Sequence, residues 1–183
     1  MTRVLLLIDI QNDYFPGGRM ALQGPEAAAH RAAALVARAR ATGGAIVHVR
    51  HVADQPGATF FLPGSDGARI HPSVAPAPGE VVIEKHAPNA FLGTALGEHL
   101  ATIGATSVVI AGMMTHMFVD STTRAASERG LDCVVAADAC ATRDQTFNGV
   151  CVDADQVHAA FLAALNGTFA TVESTSAVLE RWT

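Results

Sequence analysis

The 183-residue sequence predicts an α/β fold built on a parallel sheet that helices cover on both faces. Two observations predict this class. Apolar runs of strand length alternate with longer helical patterns, which is the order expected of βαβ units. Half of the residues are hydrophobic and only 16% are charged, which favours a well-packed globule. No repeat, low-complexity segment or linker interrupts the pattern, so we expect residues 1–183 to form a single domain.

Six segments have the length and composition of buried strands. They are RVLLLIDI (3–10), GAIVHVRHV (44–52), EVVIEK (80–85), TSVVIAG (106–112), LDCVVAADA (131–139) and FATVES (169–174). Helical patterns cover residues 24–42, 94–104, 119–130 and 153–167. Pro25 and Gly43 mark the two ends of the first helix, and Asp153 is the expected N-cap of the last. Residues 50–79 are rich in glycine and proline, and a connection of that length is uncommon unless it is functional.

Composition and charge exclude several classes of partner. A formal net charge of -5 and the lack of a basic block argue against nucleic acid and anionic membranes. No run approaches the roughly 20 apolar residues of a membrane span. The start of the chain, MTRVLLLIDI, reaches an acid too early for a signal peptide. Cys133, Cys140 and Cys151 form no disulfide framework or CxxC pair, so we expect a reduced, cytoplasmic protein.

Polar residues stand at the ends of several predicted strands. Ligands of parallel sheets bind outside the carboxyl ends of the strands, where Asp9, Lys85 and Asp138 fall. Alone, Asp9 could be a structural cap and Lys85 a solvated lysine. A buried acid is costly unless it is paired, however, and Lys85 is the candidate partner for Asp9. Such a pair could hold the carboxylate ready to accept and return a proton.

Five further residues are candidates for the wall of a substrate pocket. They are Phe15, His51, Asn89, Phe91 and Thr115. Core packing is the favoured alternative for Phe91, and a structural role is favoured for Thr115. The histidines are scattered and form no HxH or HExxH arrangement, so we expect neither a metal nor another cofactor. Cys140 ends a predicted strand, but nothing beside it would lower the pKa of its thiol.

The segment AGMMTHMFVDSTTRAA (111–126) has the form of a reactive elbow, in which a strand, a glycine turn and a helix follow one another. Backbone N–H groups at the start of a helix lack intrahelical partners and favour negative charge. The elbow can therefore supply an oxyanion hole. Phe118 stands where such an elbow usually presents its nucleophile, and a phenyl ring cannot attack a substrate.

Several segments together resemble the isochorismatase-like superfamily, also called cysteine hydrolases, over nearly the whole chain. The matching segments are LLLIDIQNDYFPGG (5–18), PGATFFLPGSDGARIH (56–71), VVIEKHAPNAFLGTAL (81–96), AGMMTHMFVDSTTRAA (111–126) and DACATRD (138–144). The resemblance implies a Rossmann-like, three-layer α/β/α fold with a central, mostly parallel six-stranded sheet in the order 3-2-1-4-5-6. It also implies a homodimer or homotetramer.

The resemblance implies roles for individual residues. Asp9 would be the acid/base and Lys85 the lysine of an Asp–Lys–Cys triad. A cis peptide bond would join Met113 and Met114, and the N–H groups of Met114 and Phe118 would form the oxyanion hole. The family pattern G-x-x-T-x-x-C-V reads GMMTHMFV here, with Phe118 at the cysteine position. The Asp-x-His metal motif of nicotinamidases is also missing from the second predicted strand.

Isochorismatases are similar in lacking the cysteine, and they hydrolyse a vinyl ether with the aspartate as proton donor. The resemblance thus predicts a hydrolase that acts on a small organic molecule through Asp9, with no covalent intermediate and no cofactor. Burial would have to outweigh Lys85 and raise the pKa of Asp9. Two other interpretations stay open. The protein could be an inactive or repurposed small-molecule-binding homologue plugged by Phe118, or a Cys-to-Phe variant of a C–N hydrolase.

Overall fold

A central sheet of six strands organises residues 2–182, the part of the chain that the computed structural model describes. Its strands are β1 (Thr2–Ile8), β2 (Ala45–His51), β3 (Val81–Lys85), β4 (Ala105–Met113), β5 (Asp132–Ala141) and β8 (Thr171–Glu173). They lie in the order β3-β2-β1-β4-β5-β8, with every pairing parallel. The predicted sheet and its order are confirmed. The outermost strand is the eighth in the chain because two short strands precede it.

Those two strands, β6 (Gln145–Phe147) and β7 (Val150–Val152), form an antiparallel hairpin outside the central sheet. They were not predicted from the sequence, because three-residue strands are too short to show an alternating pattern. Their loop is Asn148-Gly149, and both residues have positive φ, of 49° and 77°. Asn-Gly is the preferred loop of a tight hairpin, so this dipeptide was the signal that could have predicted it.

In the described part of the chain, five α-helices pack around the sheet. They are α1 (Pro25–Ala41), α2 (Leu96–Thr102), α3 (Asp120–Ser127), α4 (Ala154–Leu165) and α5 (Thr175–Glu180). The crossovers from β1 to β2 and from β4 to β5 run in opposite directions across the sheet, and crossovers between parallel strands are right-handed as a rule. Hence α1 and α3 cover opposite faces; α1 contacts α5, and α3 contacts α4. No helix within residues 2–182 has the length and apolar character that crossing a membrane requires.

The core places the end of β1 deep inside the molecule. Residues 4–8 of β1 are all buried, because β2 and β4 flank the strand and helices cover both faces. Such a strand consists almost entirely of apolar residues, as this one does. It ends at Ile8 and not at Ile10 as expected, since Asp9 adopts a left-handed conformation with φ of 50°. The chain turns at Asp9 and leaves its carboxyl group in the interior.

Two acids outside the core, Asp144 and Asp138, stabilise the starts of helices. Asp153 occupies the N-cap position of α4, but its side chain makes no capping hydrogen bond. Instead, the Ala154 N–H donates to Asp144 Oδ1 at 2.8 Å. Asp138 lies within β5 and not at its end, and its Oδ1 accepts hydrogen bonds from the N–H and hydroxyl of Thr175. Asp138 therefore stabilises the start of α5.

Candidate active site

Asp9 and Lys85 form a buried ion pair at the carboxyl edge of the sheet. The distance from Lys85 Nζ to Asp9 Oδ2 is 2.6 Å, and both side chains are fully buried. Asp9 directly follows β1, and Lys85 is the last residue of β3. Since β2 separates these strands, the long lysine side chain is what allows the two charges to meet.

The buried environment shifts the pKa values of both groups towards neutral pH. Burial raises the pKa of Asp9 to about 6, and the charge of Lys85 lowers it only in part. Burial likewise lowers the pKa of Lys85, while Asp9 acts in the opposite direction. The result is a carboxyl group that can hold a proton close to neutral pH.

The ammonium group of Lys85, which pairs with Asp9, also forms a hydrogen bond with His51. It ends β2, and its Nδ1 lies 3.1 Å from Lys85 Nζ. Burial, reinforced by the charge of Lys85, lowers the pKa of His51 to about 4. The imidazole is therefore neutral at physiological pH. Because an ammonium group can only donate, His51 Nδ1 accepts the hydrogen bond and the ring proton resides on Nε2.

The phenyl ring of Phe118 covers the remaining side of Lys85. The ammonium nitrogen lies 3.8 Å from the ring centroid, within the range of a cation–π contact. The same ring lies 5.2 Å from the imidazole of His51, centroid to centroid. Phe118 is only 3% exposed, so its ring separates the ion pair from solvent on this side.

The elbow that carries Phe118 contains a cis peptide bond followed by a π-helical turn. The peptide bond between Met113 and Met114 is cis, at the position that the resemblance implies. A π-helical turn, Thr115–Val119, follows and leads into α3. The Met114 carbonyl accepts hydrogen bonds from the N–H groups of Met117 and Val119, and these hold the turn closed.

Thr115 anchors the elbow to the neighbouring strand and helix. Its hydroxyl donates to the Ala141 carbonyl at 3.2 Å, at the end of β5. It also lies 2.9 Å from His158 Nδ1, on α4. These contacts join the elbow to β5 and α4, and a place for Thr115 in a substrate pocket stays a prediction.

Gln11 and Asp13, which the sequence analysis did not single out, position other parts of the site. The Gln11 amide group donates to the His51 carbonyl at 2.8 Å, and its oxygen accepts from the His51 N–H at 2.7 Å. Asp13 Oδ2 accepts from the N–H of Phe61 at 2.6 Å, which fixes the long connection after β2. The available signal was a group of polar residues directly after an apolar strand, as in IDIQND.

The other candidate pocket residues have different surroundings. Phe15 stacks on His71 with 3.7 Å between ring centroids and lines a cavity of about 600 Å³, to which Asp9 and Lys85 do not contribute. Asn89 Oδ1 accepts from the N–H of Phe91 at 2.9 Å. The ring of Phe91 is buried, with the guanidinium carbon of Arg129 4.5 Å from its centroid. Substrate contacts of Phe15, Asn89 and Phe91 stay predictions.

One group within residues 2–182 brings metal-ligating side chains together. Asp144, Cys151 and Asp153 each offer a ligand atom, and these atoms lie within 4.8 Å of one another. All three residues are exposed, and Asp144 is already bonded to the start of α4. They lie on and beside the β6–β7 hairpin, and none belongs to the Asp9–Lys85 site.

Comparison with known proteins identifies the family. The model of the Isochorismatase domain matches residues 3–177. The chain belongs to the isochorismatase family. YddQ of Bacillus subtilis, an uncharacterized isochorismatase family protein, is 49% identical over 180 residues, which cover 98% of this chain and 100% of YddQ. The crystal structure of a protein from Oleispira antarctica, provisionally described as an isochorismatase hydrolase, is 50% identical. Its TM-score is 0.93, and the match covers 98% of this chain and 96% of that one.

Isochorismatase-family relatives include hydrolases of small molecules. The maleamate amidohydrolase of Pseudomonas putida is 32% identical over 145 residues, which cover 72% of this chain and 68% of that enzyme. Membership thus makes this chain an isochorismatase-family hydrolase by descent and by fold.

Proposed function

We propose that this isochorismatase-family protein hydrolyses a small organic molecule by proton transfer through Asp9, without a cysteine nucleophile. One observation carries the proposal: the Asp9 carboxyl group is fully buried, and its pKa is raised to about 6. A useful general acid needs a pKa near the working pH. Within residues 2–182, Asp9 Oδ1 is buried and has no hydrogen-bond partner, so a substrate that entered the site would find this oxygen unpaired.

The cysteines support a mechanism without a thiol. Burial raises the pKa of Cys133 to about 11 and that of Cys140 to about 12, whereas a reactive thiol needs a lowered pKa. Cys151 is exposed, next to the β6–β7 turn. Phe118 occupies the position at which the family resemblance expects the nucleophile.

For a vinyl ether, protonated Asp9 would donate its proton to the terminal carbon of the double bond. The ether carbon would become an oxocarbenium ion, to which water adds. The proton released from that water would return to the Asp9 carboxylate, and the hemiketal would collapse to a ketone and an alcohol. Lys85 would stabilise the carboxylate during the interval in which Asp9 is ionised.

The test measures release of pyruvate from α-methoxyacrylate, and hydrolysis of maleamate, by the wild type and by Asp9→Asn. General acid catalysis contributes at least about a hundredfold, so we expect kcat/KM for the ether to fall by that factor or more. Asp138→Asn is the matched control, because Asp138 supports α5 outside the site. Iodoacetamide should leave wild-type turnover intact. Turnover that survives Asp9→Asn would contradict the proposal.

A second candidate function is binding without turnover. The observation that favours it is the closure of the site: Phe118 is 3% exposed, and Asp9 and Lys85 are fully buried beneath it. A binding protein would turn over neither compound but would show a higher melting temperature with pyruvate or maleamate, because a ligand of the folded state stabilises it.

A further inference from the structure

The hydroxyl group of Tyr14 is buried and unsatisfied. Tyr14 is fully buried, and its oxygen has no hydrogen-bond partner within residues 2–182. Buried hydroxyl groups are nearly always bonded, and an exception calls for an explanation. Unlike Gln11 and Asp13, which belong to the same segment and are fully engaged, Tyr14 leaves its polar atom free.

Tyr14 belongs to the aromatic wall of the Asp9–Lys85 site. Its ring meets the ring of Phe61 edge-on, with 4.7 Å between centroids. Phe61 in turn lies 6.0 Å from the imidazole of His51, which bonds Lys85. Tyr14 is also the last residue of the short helical turn that begins three residues after Asp9. Phe61 thus lies between Tyr14 and His51, the residue that bonds Lys85.

Electrostatics keep this phenol protonated. Burial raises its pKa well above the usual value, and the charge of Asp9 raises it further. Arg143 acts in the opposite direction but does not outweigh these two effects. The phenol is therefore a hydrogen-bond donor.

We propose that the Tyr14 hydroxyl donates a hydrogen bond to an oxygen of the substrate held beside Asp9. Tyr14 is then a substrate-binding residue that selects molecules with a carbonyl, ether or carboxylate oxygen at that point. A site built to bond an oxygen rejects analogues that lack it, because its own donor would stay unpaired. The inference rests on the proposed function only for the location of the substrate.

The chain offers a direct spectroscopic readout, because Tyr14 is its only tyrosine. We would titrate the wild type with pyruvate and record the tyrosine difference spectrum in the near ultraviolet. We expect a saturable change that is missing from Tyr14→Phe. Loss of one such hydrogen bond should raise the dissociation constant for pyruvate about tenfold.

Thr123→Val is the matched control. Thr123 is also fully buried, and its hydroxyl also lacks a partner within residues 2–182, but it lies on α3. This variant should bind pyruvate like the wild type. Tyr14→Phe should melt at or above the wild-type temperature, since it removes an unsatisfied group, whereas loss of a structural hydrogen bond would lower the melting temperature.

Two results would overturn the inference: equal pyruvate affinity of the wild type and Tyr14→Phe, or no saturable tyrosine signal with either pyruvate or maleamate. Neither depends on turnover. If Asp9→Asn abolishes hydrolysis while Tyr14→Phe binds normally, the inference alone fails. If Tyr14→Phe weakens binding but hydrolysis survives in Asp9→Asn, the proposed function alone fails.

Discussion

At the scale of single residues, the ammonium group of Lys85 has three different partners. It pairs with the Asp9 carboxylate at 2.6 Å, meets His51 Nδ1 at 3.1 Å and lies 3.8 Å from the centre of the Phe118 ring. A buried charge is tolerated only when its surroundings replace the lost water. The ring of Phe118 takes the place of water on one side of the lysine.

Phe118→Cys tests the interpretation that the chain is a C–N hydrolase without its nucleophile. The substitution places a thiol beside Lys85 and His51, where a cation lowers the pKa of a cysteine. If that interpretation holds, the variant hydrolyses maleamate and loses this activity to iodoacetamide. Phe118→Ala is the control, because it removes the ring without adding a thiol. A folded Phe118→Cys variant that leaves maleamate intact would contradict it.

At the scale of elements, the site depends on how closely β4 approaches β1. Gly112 has φ of 152°, and a Cβ atom there would clash with the Ile8 carbonyl oxygen. Ile8 immediately precedes Asp9, and Gly112 immediately precedes the cis peptide at Met113. A side chain at residue 112 would thus displace the Asp9 backbone and the elbow together.

Gly112→Ala should lower the free energy of unfolding by about 2 kcal/mol or more, because it combines a steric clash with an unfavourable φ. Gly97→Ala is the control. Gly97 lies in α2, and a Cβ atom there meets only Phe91 at an ordinary 3.6 Å. It should raise stability by up to about 1 kcal/mol, as alanine favours helices. Urea denaturation measures both, and equal stability of the two variants would contradict this account.

The sequence predicts the elements of this fold better than its site. Alternation of strand and helix patterns predicted the sheet, because long apolar segments show their periodicity clearly. The strand order came from the resemblance, which depends on the matching motifs. The β6–β7 hairpin and α5 were missed since each is short. Phe61 and Tyr14 were missed for another reason. Their rings come into contact only when the long connection after β2 folds over the end of β1, and a local sequence pattern does not predict such a long-range contact.

At the scale of the whole molecule, burial sets the response to acid. Five histidines have lowered pKa values, and burial is the first cause for each of them. They are His48, His51, His71, His116 and His158. A lowered pKa means that the unfolded chain binds protons first, so the stability present above about pH 6.5 is lost as the pH falls. Asp9 has the opposite sign, since its raised pKa favours the protonated folded state below about pH 6.

We expect the five histidines to outweigh Asp9, so the free energy of unfolding should fall between about pH 7 and pH 5. Urea denaturation at both pH values measures this. His51→Gln should reduce the loss, because it removes the histidine whose pKa is lowered to about 4. His30→Gln, at an exposed position on α1, is the control and should leave the loss unchanged. Stability that rises on acidification would contradict the account.

The central claim is that Asp9 acts in its protonated form. The most direct measurement is the pH dependence of kcat/KM for α-methoxyacrylate with the wild type. Because the pKa of Asp9 is about 6, the account predicts a plateau below that pH and a fall of about tenfold per unit above it. A rate that rises through pH 6 would show that ionised Asp9 is the reacting form, and would contradict the account.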